Sequence, residues 1–267
     1  MSDSTSTQSG DAVGILPMAG RATRLPGLQC SKEILPLGGP AAAADAAQPA
    51  RVVCEHILDN LRQAGVHEVY LVIRDGKWDI PTHLGDGSRH GLNLAYLMMG
   101  LPWGTPYSID QAFPFVRGRR VVLGFPDMCF ETTDIVAHAL DYQTQTGADV
   151  VLGVFPADRP HKVDMLRIDA DGRVREIVIK PKETRLTQTW GVAVWTPAFT
   201  EYLHRFLAQH RRQAEHAPEL FVGDVVRAAI EAGMDVRGVE VSARPYVDIG
   251  TLEDLARLRG DEADNAR

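Results

Sequence analysis

The chain has 267 residues, of which 45% are hydrophobic, and a formal net charge of -7. This composition supplies enough apolar surface for a packed core and excludes the disordered and fibrous classes. The acidic balance provides no basic field of the kind that dominates duplex binding, so we expect no nucleic-acid partner.

Three further features of the sequence indicate the cellular compartment of the protein. The three cysteines lie far apart in sequence, which fits neither a disulfide framework nor a paired zinc motif and favours a reducing compartment. Residues 1–11 lack the basic head and apolar run of a secretory signal, and we expect them to form a disordered tail. No segment has the roughly 20 apolar residues of a membrane span. We therefore expect a cytoplasmic protein with no membrane partner.

The first half of the chain alternates strand-like and helix-like patterns. A short apolar run at 13–18 breaks at Gly20, as a buried strand leading into a loop would. Residues 52–64 carry apolar side chains at helical spacing, and further strands are predicted at 67–75, 92–99, 119–125 and 148–155. Such alternation predicts a Rossmann-like α/β sandwich of three layers around a mainly parallel sheet. Sheets of this type bind ligands beyond the carboxyl ends of their strands.

The last two of these strands are separated by a predicted helix at 131–147. Thr132 or Thr133 is the expected N-cap of this helix, and Gly147 is its expected end.

The later part of the chain mixes element types. A hairpin is predicted at 165–179 with its turn at Asp171-Gly172, followed by a strand at 190–195 and two helices around 197–232. Residues 38–48 have low complexity and predict an inserted surface loop.

The most informative segment is PMAGRATRLPGLQCSKEILPL, residues 17–37. Backbone N–H groups in a tight turn of small residues can bind a polyphosphate, and a following helix N-terminus favours the same negative charge. Arg24 offers a planar fork for phosphate oxygens, while Lys32 adds a compact charge. The turn residues expected to bind the nucleotide are Ala19, Gly20, Arg21, Ala22 and Thr23.

The order of these residues resembles the signature of the sugar-1-phosphate nucleotidyltransferases, the family of glucose-1-phosphate thymidylyltransferase and the bacterial UTP:glucose-1-phosphate uridylyltransferase. That signature runs small-Gly-x-Gly-Thr-Arg, then Pro, then Lys-x-Leu-Pro, and residues 19–24, Pro26 and 32–36 follow it in step. Ala22 stands where the family has glycine. Further similar segments follow in the same order at 84–96, 121–131, 179–183 and 245–255.

The resemblance implies a fold of the nucleotide-diphospho-sugar transferase type and an enzyme. Its expected substrates are a nucleoside triphosphate, dTTP or UTP being favoured, and a sugar 1-phosphate; its products are an NDP-sugar and pyrophosphate. Residues 12–260 would form one domain, with a nucleotide-binding part at about 12–156 and a sugar-phosphate-binding part at about 157–260. The sequence is also compatible with a homo-oligomer.

The chemistry of nucleotidyl transfer indicates which residue types the site requires. The attacking phosphate monoester has a second pKa of about 6, so it is ionised near neutrality and needs no general base. The protein must hold two anions together and neutralise the leaving pyrophosphate. The resemblance implies Mg²⁺ bound by Asp127 and Asp248, with Arg24, Lys32 and Lys180 as catalytic cations. Without the resemblance, each aspartate would be interpreted as an ordinary turn or cap residue.

The nucleobase side departs from the thymidylyltransferase pattern. Those enzymes bind the pyrimidine with a Gln soon after an Asn-Leu-x-Tyr strand, and Met98 or Met99 stands at that position here. A thioether cannot make the paired hydrogen bonds of an amide. Gln111, or backbone groups, could replace it, so the identity of the base stays open.

The sugar side departs as well. Ile179 replaces the family's Glu, and Asp164 falls about where the family has the Gly of a Tyr-Gly pair, while Trp190 and Gly191 are further candidates for sugar contact. An apolar side chain in place of a carboxylate removes a strong acceptor of hydroxyl hydrogen bonds. We therefore expect a poor fit to glucose 1-phosphate, and a deoxy, amino or cyclitol phosphate is an alternative acceptor.

Two other interpretations stay open. Ala22 and Pro126 alter two motifs, which would suit a paralogue that binds a nucleotide or nucleotide sugar without turnover. A cytidylyltransferase for a non-sugar phosphate or phosphonate would share the fold and the Gly-rich opening. The Asp127 and Asp248 pair argues against the first alternative, and the Lys-Pro and Asp-x-Gly-Thr segments favour the sugar branch over the second.

Overall fold

The computed structural model describes residues 12–20, 27–37, 51–100, 103–211, 218–251, 253–255 and 257. The predicted tail at 1–11 and the predicted insertion at 38–48 lie outside the described residues. So do four residues of the predicted phosphate-binding turn, namely Arg21, Ala22, Thr23 and Arg24.

Strands and helices alternate along the described residues. The strands are β1 (Ala12–Pro17), β2 (Glu68–Ile73), β3 (Asn93–Met98), β4 (Arg120–Gly124), β5 (Met128–Cys129), β6 (Val150–Pro156), β7 (Met165–Ile168), β8 (Val174–Val178), β9 (Gln188–Trp195), β10 (Val236–Glu240) and β11 (Val247–Asp248). The helices are α1 (Glu55–Gln63), α2 (Asp79–Leu84), α3 (Thr105–Asp110), α4 (Phe113–Val116), α5 (Ile135–Thr146), α6 (Pro197–His210) and α7 (Val222–Glu231). Short 3-10 turns occur at Lys32–Ile34, Ser88–His90 and Pro160–Lys162.

One large sheet runs through the described part of the chain in the order β10-β6-β9-β4-β1-β2-β3. β1 pairs in parallel with β2 and β4, β2 with β3, and β6 with β10. β9 is inserted antiparallel between β4 and β6, and its beginning also pairs with the β7–β8 hairpin. The sheet is thus mostly parallel, which confirms the Rossmann-like α/β prediction.

The sheet is covered on both faces. Side chains of β1 alternate between the two sides, so that Leu16 packs with residues of α1, α2 and α5, whereas Ile15 packs with residues of α3, α6 and α7. Gly124 ends β4 beneath α1, where an added Cβ would lie 2.4 Å from Cγ1 of Ile57. A glycine there lets the helix approach closely at the strand end that leads to Asp127.

The start of α5 corrects one prediction. The N-cap residue is Asp134, not Thr132 or Thr133, and its side chain makes no capping hydrogen bond. Instead, Oδ1 of Asn60 in α1 accepts the N–H of Ile135 at 3.1 Å, while its amide donates to the carbonyl of Thr132 at 3.2 Å. A side chain from another helix therefore satisfies the donor that a local cap would otherwise serve.

Other predicted boundaries agree with the structure. α5 ends at Gly147, which has a φ of 65°, and the hairpin turns at Gly172, which has a φ of 81°. Both glycines adopt the left-handed conformation that favours this residue. β10 and the short ribbon of β5 and β11 were not predicted from the sequence, and neither were the short helices α2, α3 and α4. None of the helices in the described residues has the length and apolar character that a bilayer crossing requires.

Candidate active site

Two aspartates from distant parts of the chain meet beyond the end of β4. Asp127 follows that strand, and Asp248 ends β11, which pairs antiparallel with β5 so that Asp248 lies opposite Met128. The N–H of Ile249 donates to the carbonyl of Asp127 at 2.9 Å. Backbone pairing thus holds the two aspartates together. With Lys32 they form a group that we call the carboxylate edge.

Lys32 supplies the cation of the carboxylate edge. Its ammonium donates to Oδ2 of Asp127 and to the carbonyl of Ile249, the latter at 3.4 Å. Burial alone would lower the pKa of Lys32, but the charge and hydrogen bond of Asp127, together with the charge of Asp248, more than offset it, and the pKa is raised. Lys32 therefore keeps its positive charge, paired with Asp127 and stabilised by the charge of Asp248.

The turn that carries Lys32 is anchored by a buried ion pair. The carboxylate of Glu33 accepts hydrogen bonds from the ammonium of Lys77 at 2.6 and 2.8 Å, and both side chains are buried. Nearby, Asp79 accepts the backbone N–H of Ser31 at 2.6 Å and its hydroxyl at 2.9 Å. Removing one partner of a buried ion pair would leave the other charge buried and unpaired. These contacts therefore hold the turn against residues 77–79.

A second group of residues lies at the open end of the β7–β8 hairpin. Because Met165 pairs with Val178, the preceding Asp164 lies opposite Ile179 across the hairpin. Both side chains pack against Gly223 in the first turn of α7, where an added Cβ would lie 2.4 Å from Oδ2 of Asp164 and 2.6 Å from Cδ1 of Ile179. We call Asp164, Ile179, Lys180, Phe221 and Gly223 the hairpin wall.

Asp164 is a partly buried carboxyl group. Burial is the largest cause that raises its pKa and neighbouring Asp224 adds to it, whereas Lys180 and a hydrogen bond with the Trp190 side chain lower it, and the resulting pKa is about 6. Its backbone carbonyl accepts the hydroxyl of Thr189 at 2.8 Å, which ties it to β9. Asp164 therefore titrates near neutrality and responds to any group that binds beside it.

Lys180 has an unusual backbone. Its φ of 40° is the only positive value among non-glycine residues in the described ranges, and Pro181 follows it. Its ammonium lies over the ring of Phe221, 3.7 Å from the ring centroid. Non-glycine residues rarely adopt this conformation, which often marks a functional site.

Trp190 and Gly191 lie on β9 behind the hairpin wall. Trp190 is 5% exposed, contacts Phe125 edge-on at 5.5 Å between ring centroids, and accepts the Tyr246 hydroxyl on its carbonyl at 3.3 Å. An added Cβ on Gly191 would lie 3.0 Å from Phe155 and 3.2 Å from Tyr246. Glycine at 191 therefore leaves room for these two rings.

Asp254 links the carboxylate edge to the loop before β7. Its carboxylate accepts the N–H of Gly250 at 3.2 Å and the hydroxyl of Thr251 at 2.8 Å, next to the Asp248 turn. It also pairs with Arg159 at 2.5 Å and with Lys162 at 3.3 Å. Burial would raise its pKa, but these hydrogen bonds and charges lower it to about 2.

The carboxylate edge and the hairpin wall contribute to one cleft of about 400 Å³. Its charged lining residues are Asp127, His161, Lys162, Asp164, Lys180, Glu219, Asp248 and Asp254. Its aromatic lining residues are Phe125, Trp190, Phe221 and Tyr246. The cleft therefore combines two carboxylates close to Lys32 with a more enclosed, partly aromatic side.

The donors of the carboxylate edge are suited to Mg²⁺. Within the described ranges, no cluster of three or more His, Cys, Asp or Glu side chains could hold a metal ion. Magnesium commonly uses one or two carboxylates and takes its remaining oxygens from substrate phosphates and water. Asp127 and Asp248 fit that donor set.

Several residues predicted for the site lie elsewhere or behind it. Met99 is buried, and its sulfur accepts the Ser108 hydroxyl at 2.8 Å. Gln111 is exposed at the end of α3 and donates to the carbonyl of Tyr107 at 3.4 Å. Neither these two residues nor Ile179 is among the described residues that line the cleft.

At the start of the predicted phosphate turn, Ala19 and Gly20 follow β1. The N–H of Met18 still donates to the carbonyl of Val72 in β2, at 2.7 Å, so the sheet pairing ends just before them. Ala19 and Gly20 thus lie at the carboxyl end of a central strand.

Three contributors to the site were missed by sequence reasoning. Phe221 comes from a segment with no motif, Asp254 follows the Asp-x-Gly-Thr segment unmarked, and Lys77 lies in a loop far from Glu33. The Thr-x-x-Asp spacing of Thr251 and Asp254 is a capping signal that could have identified one of them.

An open α/β sheet with a cleft at its strand ends, and a lysine that donates to an aspartate just beyond β4, is typical of α/β proteins that bind ligands at the carboxyl ends of their strands. A family model described as nucleotidyl transferase matches residues 42–265. The chain belongs to this nucleotidyl transferase family.

Three relatives are 23–24% identical to this chain over the aligned residues. The low-salt glycan biosynthesis nucleotidyltransferase of Haloferax volcanii is 24% identical over 206 residues, covering 76% of this chain and 55% of that protein. A glucose-1-phosphate thymidylyltransferase of Streptomyces antibioticus is 23% identical over 210 residues, covering 75% and 54%. A bifunctional GlmU protein of Methanococcus maripaludis is 24% identical over 241 residues, covering 88% and 51%. The chain thus spans about half the length of the curated relatives it matches.

A solved structure has the same fold. It is a Bacillus anthracis protein crystallised with sucrose, whose name as a glucose-1-phosphate thymidylyltransferase is provisional. The TM-score is 0.76 at 20% identity, covering 95% of this chain and 96% of that one.

Proposed function

We propose that this chain transfers a nucleotidyl group from a nucleoside triphosphate, dTTP or UTP being favoured, to a sugar 1-phosphate. The products are an NDP-sugar and pyrophosphate. The observation that carries the proposal is that the β5–β11 pairing brings Asp248 beside Asp127, which accepts the Lys32 ammonium, in a cleft that Lys180 also lines. Membership of the nucleotidyl transferase family supports it.

The reaction is an in-line displacement at the α-phosphorus. An oxygen of the acceptor phosphate forms the new bond while the bond to the leaving pyrophosphate breaks, and no proton must be removed because the acceptor is already ionised. Lys32 holds a fixed positive charge where the two anions meet, Lys180 binds the acceptor phosphate, and Arg24 binds the triphosphate. Ala19, Gly20, Arg21, Ala22 and Thr23 would bind the triphosphate through their backbone N–H groups.

Asp127 and Asp248 would hold a Mg²⁺ ion. When bound, it supplies positive charge to the phosphate oxygens and so favours departure of pyrophosphate. The chain's own contribution is the alignment of both carboxylates by the β5–β11 pairing and by the hydrogen bond from Ile249 to Asp127.

The hairpin wall supports an acceptor other than glucose 1-phosphate. Ile179 offers no hydrogen bond, and the carboxylate of this wall belongs to Asp164, directly across the hairpin. Asp164 can accept a hydrogen bond from a hydroxyl or pair with an amino group, so amino and deoxy sugar phosphates are the favoured acceptors. Trp190 would contribute an apolar surface on the same side, and Gly191 the space behind it.

We propose Met99 and Gln111 as residues near the nucleobase. Met99 lies just beyond β3, beside the end of β2, where the N–H of Met99 donates to the carbonyl of Ile73 at 2.8 Å. Gln111 retains an amide that can pair with a base.

The deciding experiment is a substrate panel. The purified protein is incubated with each common nucleoside triphosphate and with glucose, galactose, glucosamine and N-acetylglucosamine 1-phosphates, with MgCl₂ or with EDTA. Coupled detection of pyrophosphate measures turnover, and mass spectrometry identifies the NDP-sugar. We expect turnover only with Mg²⁺ present.

Two outcomes would contradict the proposal. Tight nucleotide binding without pyrophosphate release from any pair would indicate a non-catalytic paralogue. Turnover only of CTP with a non-sugar phosphate or phosphonate, added as further acceptors, would indicate a cytidylyltransferase of another branch.

A further inference from the structure

Lys180 is a cleft lysine without a salt bridge among the described residues, although acidic groups surround it. Asp164 and Glu219 line the same cleft, and the positive charge of Lys180 lowers the pKa of Asp164. The ammonium nevertheless lies over the Phe221 ring, 3.7 Å from the centroid. The face of an aromatic ring attracts a cation through its quadrupole without neutralising the cation's charge.

The backbone fixes both partners of this contact. Phe221 is the residue before α7, where its N–H donates to Oδ2 of Asp224 at 3.0 Å and its carbonyl accepts the N–H of the same residue at 3.1 Å. On the other side, the left-handed φ of Lys180 and the following Pro181 restrict the direction in which the lysine leaves β8. The backbone therefore restricts the positions of both Lys180 and Phe221.

We infer that Phe221 is a positioning residue for Lys180: its ring holds the ammonium in the cleft, away from Asp164, with its charge free for the acceptor phosphate. This inference rests on the proposed function for the identity of that phosphate. The ring holds the lysine more weakly than a carboxylate would at the same distance. An incoming phosphate can therefore draw the ammonium from the ring, whereas a salt bridge to Asp164 would compete with it.

The contact can be measured without turnover. In protein carrying ¹³Cε-labelled lysine, the Lys180 resonance, assigned by its loss in Lys180→Arg, should be shifted upfield by the ring current of Phe221. Phe221→Leu should remove that shift while keeping an apolar side chain, and Phe221→Tyr should retain it. Phe115→Leu, which removes an exposed ring elsewhere, is the matched control and should leave the resonance unchanged. Titration with inorganic phosphate should move the same resonance in the unmodified protein.

The kinetic consequence is specific to one substrate. With the best sugar 1-phosphate of the panel, Phe221→Leu should raise the acceptor KM about threefold to tenfold, as expected for loss of one cation–π contact. The KM for the triphosphate should stay unchanged, and Phe221→Tyr should restore the acceptor KM. A general loss of structure would instead affect both substrates.

Three results would overturn the inference. They are an unshifted Lys180 resonance in the unmodified protein, an equal rise of both KM values in Phe221→Leu, and a Phe221→Tyr variant that behaves like Phe221→Leu. If no substrate pair is turned over, the proposed function fails separately. The resonance and its response to inorganic phosphate still decide whether Phe221 positions Lys180.

Discussion

The two sides of the cleft each contain carboxylates and a lysine, but they hold them differently. At the carboxylate edge, Lys32 and Asp127 form an ion pair whose side chains are 15% and 20% exposed. At the hairpin wall, Asp164 is partly buried with a raised pKa and forms no salt bridge among the described residues, and the exposed Lys180 lies against a ring instead of a carboxylate.

This difference indicates that the two sides of the cleft have different roles. At the carboxylate edge, Lys32 offsets one of the two aspartate charges, and the remaining negative charge suits a metal ion whichever acceptor is present. At the hairpin wall, a partly buried carboxyl group with a pKa of about 6 and a lysine without a salt bridge among the described residues depend on what binds beside them. Under the proposed function, the carboxylate edge would carry the nucleotidyl transfer and the hairpin wall would determine the choice of acceptor.

The largest test of this division is at the carboxylate edge. We expect Asp127→Asn or Asp248→Asn to lower kcat by about 100-fold to 1000-fold for every acceptor, because each removes charge from an electrostatic step. Steady-state kinetics at saturating MgCl₂ measures the effect, and circular dichroism checks the fold. Asp141→Asn, on the exposed side of α5, is the control. Normal turnover in both variants would remove the pair from the mechanism.

On the hairpin wall, Lys180→Ala should raise the acceptor KM by about 30-fold to 100-fold, the effect of losing one or two charge-assisted hydrogen bonds. The triphosphate KM should change little. Arg24→Ala should show the opposite pattern. Initial-rate measurements with each substrate varied in turn separate the two. A rise confined to the triphosphate KM in Lys180→Ala would reverse our assignment of the two sides.

Exchanging the wall residues should alter acceptor choice by a smaller factor. Asp164→Gly combined with Ile179→Glu returns the carboxylate to the other strand of the hairpin and opens the space beside Gly223 that the longer side chain needs. We expect kcat/KM for glucose 1-phosphate to rise about tenfold relative to the preferred acceptor. Competition assays with both acceptors measure the ratio. Efficient use of glucose 1-phosphate by the unmodified protein, with no gain in the double variant, would contradict the acceptor proposal.

The smallest expected effect is on stability. The pKa of Asp164 is raised from 3.8 to about 6, so its contribution to stability is fully present below pH 3.8 and is lost as the pH rises through about 6. Asp164→Asn mimics the protonated form and should therefore be more stable than the unmodified protein by about 1–2 kcal/mol at pH 8, with the difference shrinking towards pH 4.

Urea unfolding of both proteins between pH 4 and pH 8 measures this difference. Asp141→Asn, at an exposed position, should show no such pH dependence. A constant difference between Asp164→Asn and the unmodified protein across that range would mean that Asp164 does not titrate with a raised pKa.

The residues of the site could be predicted from the sequence to different extents. Asp127 and Asp248 were predicted as a pair because short motifs mark both, and the structure brings them together. Asp164 and Ile179 were identified as departures from a family pattern, but their position opposite one another depends on the hairpin register. Phe221 carried no signal, because one aromatic residue before a helix is ordinary in sequence.

Element type and order could be obtained from the chain alone. Strands and helices differ in the period of their apolar residues, and glycines mark the turns, so these features are encoded within a few neighbouring positions. The strands from β1 to β9 that form the large sheet, and the longer helices, were predicted on that basis.

Tertiary structure decided which side chains meet. The ribbon of β5 and β11 joins segments that are far apart in sequence, and each is two residues long, too short to produce a periodic signal. The amide of Asn60 replaced a local cap at α5, and the N-terminus of α7 brought Phe221 to Lys180. These contacts depend on packing across the sheet, where burial and charge outweigh local preference, and they determine the electrostatic character of the two sides of the cleft.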